Sequence, residues 1–256
     1  MRLPIPPDLI PLLRSARRVA VLTGAGVSKE SGVPTFREAQ TGLWEQYRPE
    51  DLVSIEAFRR APGLVWEWHA WLRDLMRQAQ PNPGHLALAE LQARLARRGA
   101  QFTLITQNID SLHQRAGNQL VIELHGNISR VICSRDRLPV ERWPTTGPTP
   151  PPCPHCGAPL RPDVVWFGEN LPIEALWAAK RAARESDIFL SIGTSGVVEP
   201  AASLPFVALG RGAVVVEINP DATPLTPNAT YVLPGPSGQV LPELVKAVWP
   251  EMKPET

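Results

Sequence analysis

The sequence predicts an α/β fold in which helices cover both faces of a parallel sheet and two insertions build a second, smaller domain. Three observations lead there. Continuous apolar runs at residues 19–22, 102–106, 121–124, 187–193, 213–218 and 231–233 read as strands buried on both faces, as in parallel sheets. Amphipathic stretches at residues 85–97, 173–185, 201–209 and 239–248 lie between those runs, and such alternation places ligands at the carboxyl ends of the strands. Residues 48–80 and 128–163 interrupt the alternation. The expected organisation is therefore a main domain of residues 1–47, 81–127 and 164–256, with the two interruptions forming the small one.

Composition narrows the function. A formal net charge of +1 over 256 residues makes no electrostatic case for nucleic acid or a membrane surface. No apolar run is long enough to span a bilayer, and the first residues lack the apolar core of a signal peptide, so a cytoplasmic location is expected. Three cysteines cannot pair evenly, and Cys153 and Cys156 stand in a Cys-x-x-Cys spacing, which favours metal over a disulfide.

Taken in order, the chain opens with a helical segment at residues 8–16 and a strand that runs into Thr23-Gly24-Ala25-Gly26. Gly-x-Gly after a strand makes a tight turn where backbone N–H groups can approach a phosphate. Many α/β turns share that pattern, so the glycines alone leave a nucleotide site and a plain turn equally open. Gly32, Pro34, Phe36 and Arg37 add an ordered loop with an aromatic face and a cation. In the first insertion, Trp66, Trp68 and Trp71 suit packing rather than a cofactor platform. The second strand ends in Thr106-Gln107-Asn108-Ile109-Asp110, whose amide and carboxylate can bind an amide or ribose hydroxyls or else cap a helix. His125 ends the third strand and precedes Gly126. A lone histidine is ordinarily a satisfied polar group, but one at a strand end that titrates near neutrality is suited to act as a general base. Gly193-Thr194-Ser195 closes the fourth strand and Asn219-Pro220-Asp221 the fifth, placing groups for phosphate or ribose and for an adenosine end at the same edge. The second insertion holds all three cysteines and the run Pro148-Thr149-Pro150-Pro151-Pro152.

Gly24-Ala25-Gly26-Val27-Ser28, Ser31-Gly32-Val33-Pro34-Thr35-Phe36-Arg37, Thr106-Gln107-Asn108-Ile109-Asp110, Leu124-His125-Gly126, Val165-Trp166-Phe167-Gly168-Glu169 and Gly193-Thr194-Ser195 resemble sirtuin motifs. They occur in that family's order across about residues 19–248. The resemblance implies an NAD-dependent protein deacylase with a Rossmann-like main domain and a small domain of helical and zinc modules. It implies that Gly24, Ala25 and Gly26 line the diphosphate and that Thr35, Phe36 and Arg37 belong to a cofactor loop. Gln107, Asn108 and Asp110 would form the nicotinamide and ribose pocket, with Gly193, Thr194, Ser195 and Asn219 completing the cofactor contacts and Asn108 sharing in catalysis. In the implied reaction the acyl-lysine oxygen attacks the anomeric carbon, nicotinamide leaves, and His125 as base activates a ribose hydroxyl. Water then frees deacylated lysine and O-acyl-ADP-ribose. The peptide would lie as an added strand between residues 165–169 and 196–199, against Val165, Phe167, Gly168, Glu169 and Val197, so its sequence would be read weakly.

Two departures from the family pattern matter. Sirtuins usually carry two Cys-x-x-Cys pairs, and here the first reads Cys133-Ser134-Arg135-Asp136. A carboxylate can ligate zinc, so the expected site is Cys133, Asp136, Cys153 and Cys156, against the alternative that the metal has been lost. One sirtuin branch reads succinyl- or malonyl-lysine with Tyr-x-x-Arg; here that register places His69, expected to line the substrate site, at the tyrosine and Leu72 at the arginine, with the alternative that His69 and Arg73, four apart on one helix face, together bind an anion. Without the guanidinium fork, neutral acyl groups are expected. Outside the deacylase reading stand an NAD or ADP-ribose sensor, an NAD hydrolase or ADP-ribosyltransferase, and a nucleic-acid-binding zinc ribbon, which the absence of a basic stripe disfavours.

Overall fold

The structure is a computed structural model that describes residues 5–34, 47–144 and 146–250. Six parallel strands, β1 (Arg18–Thr23), β2 (Gln101–Thr106), β3 (Ile122–Glu123), β6 (Ile188–Ile192), β7 (Val214–Asn219) and β8 (Tyr231–Pro234), form one sheet in the order β3-β2-β1-β6-β7-β8. Every one of the six apolar runs supplies a strand. Side chains alternate across the sheet. Val19, Val21, Leu104, Leu190 and Ile192 face one layer, packed by α1 (Leu9–Ser15), α5 (Pro83–Ala96) and α9 (Ser237–Val248). Ala20, Leu22, Ile105, Phe189 and Val215 face the other, packed by α7 (Ile173–Glu185) and α8 (Leu204–Leu209). Burying each large aliphatic side chain of this kind contributes about 1.5–3 kcal/mol.

The strand order reverses at β1, whose neighbours are β2 and β6. Ligand crevices of open parallel sheets form at such a switch point, where loops from adjacent strands diverge to opposite faces. The turn after β1 enters the short helix α2 (Ala25–Lys29).

Residues 48–80 fold as α3 (Ile55–Arg60) and α4 (Pro62–Gln78). Ser54 starts α3 by accepting the Ala57 N–H at 3.1 Å. The tryptophans pack, as expected: Trp68 is buried among Val65, Leu72 and Met76, and Trp71 lies against the same cluster. Trp66 instead faces the cysteine module, edge-on to Trp143. That module is an antiparallel pair, β4 (Gly126–Cys133) with β5 (Leu160–Val164). Neither strand was expected, because the buried Arg161 and the exposed Ser129 and Arg130 leave no apolar run or clean alternation. No helix among the described residues is long and apolar enough to cross a membrane.

Candidate active site

The crevice is built on a seam of backbone. Gly26 N–H donates to the Gly193 carbonyl at 2.8 Å, and Gly24 N–H to the Ile192 carbonyl at 3.0 Å. A Cβ on Gly24 would lie 2.7 Å from the Gly193 oxygen, and one on Gly26 2.8 Å from the Gly193 Cα. Gly193 itself takes φ +58, and its Cβ would meet the Val27 nitrogen at 2.6 Å. Glycine is therefore required on both sides of the seam, by close approach and, at Gly193, by the left-handed backbone. A cradle without side chains suits an approaching diphosphate.

Beside the seam lies a polar network in which nearly every proton can be placed. The Asn108 amide donates to the Gly24 carbonyl and to Ser28 Oγ, both at 3.0 Å. Ser28 Oγ donates to Asp110 Oδ2 at 2.6 Å. With that proton spent, the 3.4 Å contact from His85 Nε2 has the ring donating to Ser28, while His85 Nδ1 accepts the Asn82 N–H. Asp110 Oδ1 accepts the Leu112 N–H at 2.9 Å, so Asp110 both joins the network and holds the first N–H of α6 (Leu112–Arg115). Burial raises its carboxyl above the ordinary value, against hydrogen bonds from Ser28 and Leu112 that lower it. Burial likewise lowers His85 to about 4 and His113 well below its usual value. His113 Nε2 meets Thr23 Oγ1 at 2.9 Å, and Thr23 in turn bonds Thr106. Thr106 Oγ1 accepts the Asn108 N–H at 3.0 Å.

His125 closes the crevice. Its Nδ1 lies 2.8 Å from the Gln107 carbonyl, which can only accept, so Nδ1 carries the proton and Nε2 keeps its lone pair. Burial lowers its pKa, partly offset by the Gln107 bond, and the ring is neutral at pH 7. Gln107 also donates Nε2–H to Thr194 Oγ1 at 3.0 Å, tying the ends of β2 and β6 together. Gly126 follows with φ +76; a Cβ there would lie 2.2 Å from the Asp163 carbonyl, which explains glycine after this histidine.

The structure thus gathers Gly24, Ala25, Gly26, Gln107, Asn108, Asp110, His125, Gly193 and Thr194 around one crevice, with Ser195 following Thr194 in the same loop. Asn219 ends β7, where its Nδ2 donates to the Asp221 carbonyl at 2.7 Å. Thr35, Phe36 and Arg37 lie outside the described residues. Sequence reasoning gave no role to Ser28, His85, His113 or Thr23. Asn82-Pro83-Gly84-His85, a capped helix start, carried the available signal for His85.

Two expected substrate residues have other partners. His69 is buried, donating Nδ1–H to the Val65 carbonyl at 2.7 Å and accepting from Trp166 Nε1 at 3.0 Å; burial lowers its pKa to about 3. Both ring nitrogens are engaged, so His69 has no free ring nitrogen to offer a substrate. The Glu169 carboxylate receives Arg161 through two 2.7 Å bonds, Arg137 at 3.1 Å and the Trp166 N–H at 3.0 Å. Arg73, the neighbour of Leu72, donates Nε–H to the Ile128 carbonyl at 2.8 Å. Val165 N–H donates to the His125 carbonyl and Phe167 N–H to the Val53 carbonyl, while Phe167 and Val197 expose their side chains. The Val165 carbonyl and the Gly168 N–H have no partner among the described residues.

The thiols of Cys133, Cys153 and Cys156 lie within 4.8 Å of one another, with 3.5 Å between Cys133 and Cys156. That spacing fits three thiolates around one tetrahedral ion with metal–sulfur bonds of about 2.3 Å. Asp136 is not within the group: its Oδ1 accepts the Leu138 N–H at 3.0 Å. The two turns are nonetheless built alike. Arg137 N–H donates to the Cys133 carbonyl and Gly157 N–H to the Cys153 carbonyl, with φ of 65 and 73 at those residues. Cys133 and Cys153 each donate N–H to the carbonyl five residues on. Asp136 stands in the first turn where Cys156 stands in the second.

A switch-point crevice with a side-chain-free cradle and an oriented histidine defines an α/β nucleotide-utilising site. The Sir2 family profile matches residues 24–200. An NAD-dependent protein deacylase of Pyrobaculum aerophilum is 52% identical over 244 residues, covering 93% of each chain. A solved complex of a Sir2 homologue with NAD is 46% identical with a TM-score of 0.88, covering 96% of this chain and 95% of that one. A structure of Sir2 with a p53 peptide and NAD+ is 33% identical, with a TM-score of 0.81 over 93% of this chain and 96% of its own. The chain belongs to the Sir2 family.

Proposed function

We infer that the chain is an NAD-dependent protein-lysine deacylase that transfers the acyl group to ADP-ribose and releases nicotinamide. The observation that carries this reading is the fixed tautomer of His125, because a site that only binds the dinucleotide has no need of an unprotonated Nε2 at the mouth of the crevice. Bound NAD would supply the anomeric carbon to which the acyl oxygen bonds as the bond to nicotinamide breaks and nicotinamide leaves. Gly24, Ala25 and Gly26 cradle the diphosphate with Gly193, Thr194 and Ser195. Asn108 and Asp110, held by Ser28, orient the nicotinamide ribose with Gln107. His125 Nε2 takes the ribose hydroxyl proton. Thr35, Phe36 and Arg37 contribute to the cofactor site, and Asn219 holds the adenosine end. The acyl-lysine peptide pairs with the Val165 carbonyl and the Gly168 N–H, flanked by Phe167 and Val197, in a cleft between the main domain and the small domain of residues 48–80 and 128–163.

Cys133, Cys153 and Cys156 would hold zinc, and Asp136, at the place in its turn that Cys156 has in the other, would turn its carboxylate from the Leu138 N–H to become the fourth ligand; zinc there would tie the two turns of the module into one unit. Elemental analysis of protein purified without added zinc is expected to give close to one equivalent, and less than about a tenth in a stable protein rejects the site. Nicotinamide release tests the activity. Release that requires an acyl-lysine peptide is expected; release without peptide means a hydrolase, and none at all means a sensor.

A further inference from the structure

We propose that Arg137 and Glu169 are positioning residues through which the metal-binding turn sets the affinity for acyl-lysine peptide. This deepens the deacylase reading and rests on it for the role of residues 165–169. The Glu169 carboxylate is the meeting point of three segments. One oxygen receives both Arg137 and Arg161, and the other receives Arg161 and the Trp166 main-chain N–H. Glu169 N–H donates back to the Trp166 carbonyl at 3.0 Å. The turn that presents the Val165 carbonyl and the Gly168 N–H is therefore closed upon this side chain.

The two arginines do different things. Arg161 is 2% exposed, stacks 3.5 Å over the Trp166 ring and donates to the Val164 carbonyl at 2.9 Å. It anchors the segment from within β5. Arg137 comes from the metal side: it directly follows Asp136, takes φ 65 and donates its N–H to the Cys133 carbonyl at 3.1 Å. A left-handed arginine in that turn has its direction set by the turn's hydrogen bonds, so a change in the turn swings the guanidinium relative to Glu169. At 47% exposure for its side chain, Arg137 is not needed to satisfy a buried charge. Its pair with Glu169 is a link, whereas Arg161 is the anchor.

The test compares zinc-replete and zinc-stripped protein, each as wild type, Arg137→Ala and Arg137→Lys. In the replete state Arg137→Ala is expected to raise KM for an acetyl-lysine peptide about two- to fivefold, the range of a half-exposed ion pair, with kcat and the KM for NAD unchanged. Amide hydrogen exchange across residues 164–169 should quicken while β1 and β6 keep their protection, and Arg137→Lys should recover part of both effects. Stripping zinc from wild type should reproduce the pattern but add little to Arg137→Ala, since coupled changes are not additive. The proposal is overturned if Arg137→Ala leaves peptide KM and exchange at wild-type values. It is also overturned if zinc removal acts equally on wild type and Arg137→Ala. The exchange comparison needs no turnover, so it decides the coupling even where the peptide assay fails with the deacylase reading.

Discussion

The sheet and the two insertions hold their functional groups by different physics. At the sheet's edge, position is set by backbone contact at Gly24, Gly26 and Gly193 and by hydrogen bonds among mostly neutral groups, with Asn108, Ser28, His85, Thr23 and His113 each in a defined role. Where the second insertion rejoins the sheet domain, position is set by charge: the insertion's buried Arg161 guanidinium lies on Trp166 and pairs with Glu169. The difference lies in what each can tolerate. A neutral network fails when a proton is added or a methyl group intrudes, while a charged brace fails when one partner is removed and the other is left stranded.

The largest test strikes the base. His125→Ala should leave a folded protein that still binds NAD but deacylates more slowly by about 10²- to 10⁴-fold, the usual cost of losing a general base. Near-normal turnover would reject the assignment.

Gly26→Ala probes the seam. Its Cβ would meet backbone of Gly193 at 2.8 Å, which cannot rotate away, so a loss of about 1–3 kcal/mol and a raised KM for NAD are expected together. Unfolding in denaturant and NAD titration measure the two. Loss of neither would show that the strand ends are not locked by backbone contact.

Acid separates the two kinds of support. His69 and His85 titrate at about 3 and about 4 in the fold, and His113 lies well below its usual value, so the unfolded chain binds more protons than the native one below about pH 6.5. Their contribution is fully present above that pH. It is lost as pH falls toward the folded values, at up to about 1.4 kcal/mol per pH unit for each ring. Glu169 is lowered despite its burial, by hydrogen bonds from Arg161 and Trp166. Its contribution persists above the ordinary carboxylate range and goes only as pH falls through that lowered value. Unfolding free energies between pH 7 and 5 should therefore slope steeply. A slope below one proton across pH 6 to 5 would mean that these imidazoles are charged in the fold.

The smallest test concerns acyl choice. Leu72 is buried, His69 is neutral and engaged, and Arg73 gives its Nε–H to the Ile128 carbonyl while its Nη2 is buried without a partner among the described residues. The position of Leu72 therefore offers a succinyl carboxylate no guanidinium fork, and Arg73 is the neighbouring cation to test. Acetyl or longer neutral acyl groups should be preferred over succinyl by at least about tenfold in kcat/KM, roughly 1.4 kcal/mol. A succinyl preference that disappears in Arg73→Ala would show that Arg73 leaves Ile128 to bind substrate.

The two regions also differ in how far the sequence announces them. The six sheet strands were legible because each is a short apolar run, and the polar ends of β2, β3 and β6 stand out against those runs. β4 and β5 were not, since Arg161 is buried only by virtue of Glu169 and Trp166, partners a linear reading cannot supply. Ser28, His85 and His113 were missed for a related reason. Each sits in a helix where one polar residue looks like surface, and only the fold turns it inward. Glu169 and His69 could be named from motifs, but which groups occupy them depends on β5 and α4 meeting in space.

The glycine seam has a consequence for biosynthesis. Gly26 emerges from the ribosome near the start of synthesis, but Gly193 follows only after about three quarters of the chain has been made. Until β6 pairs with β1, the first Gly-x-Gly turn has no opposing backbone against which to close, and contacts between such distant segments form late. A nascent or truncated chain ending before Gly193 would carry the diagnostic loop intact yet present no phosphate cradle.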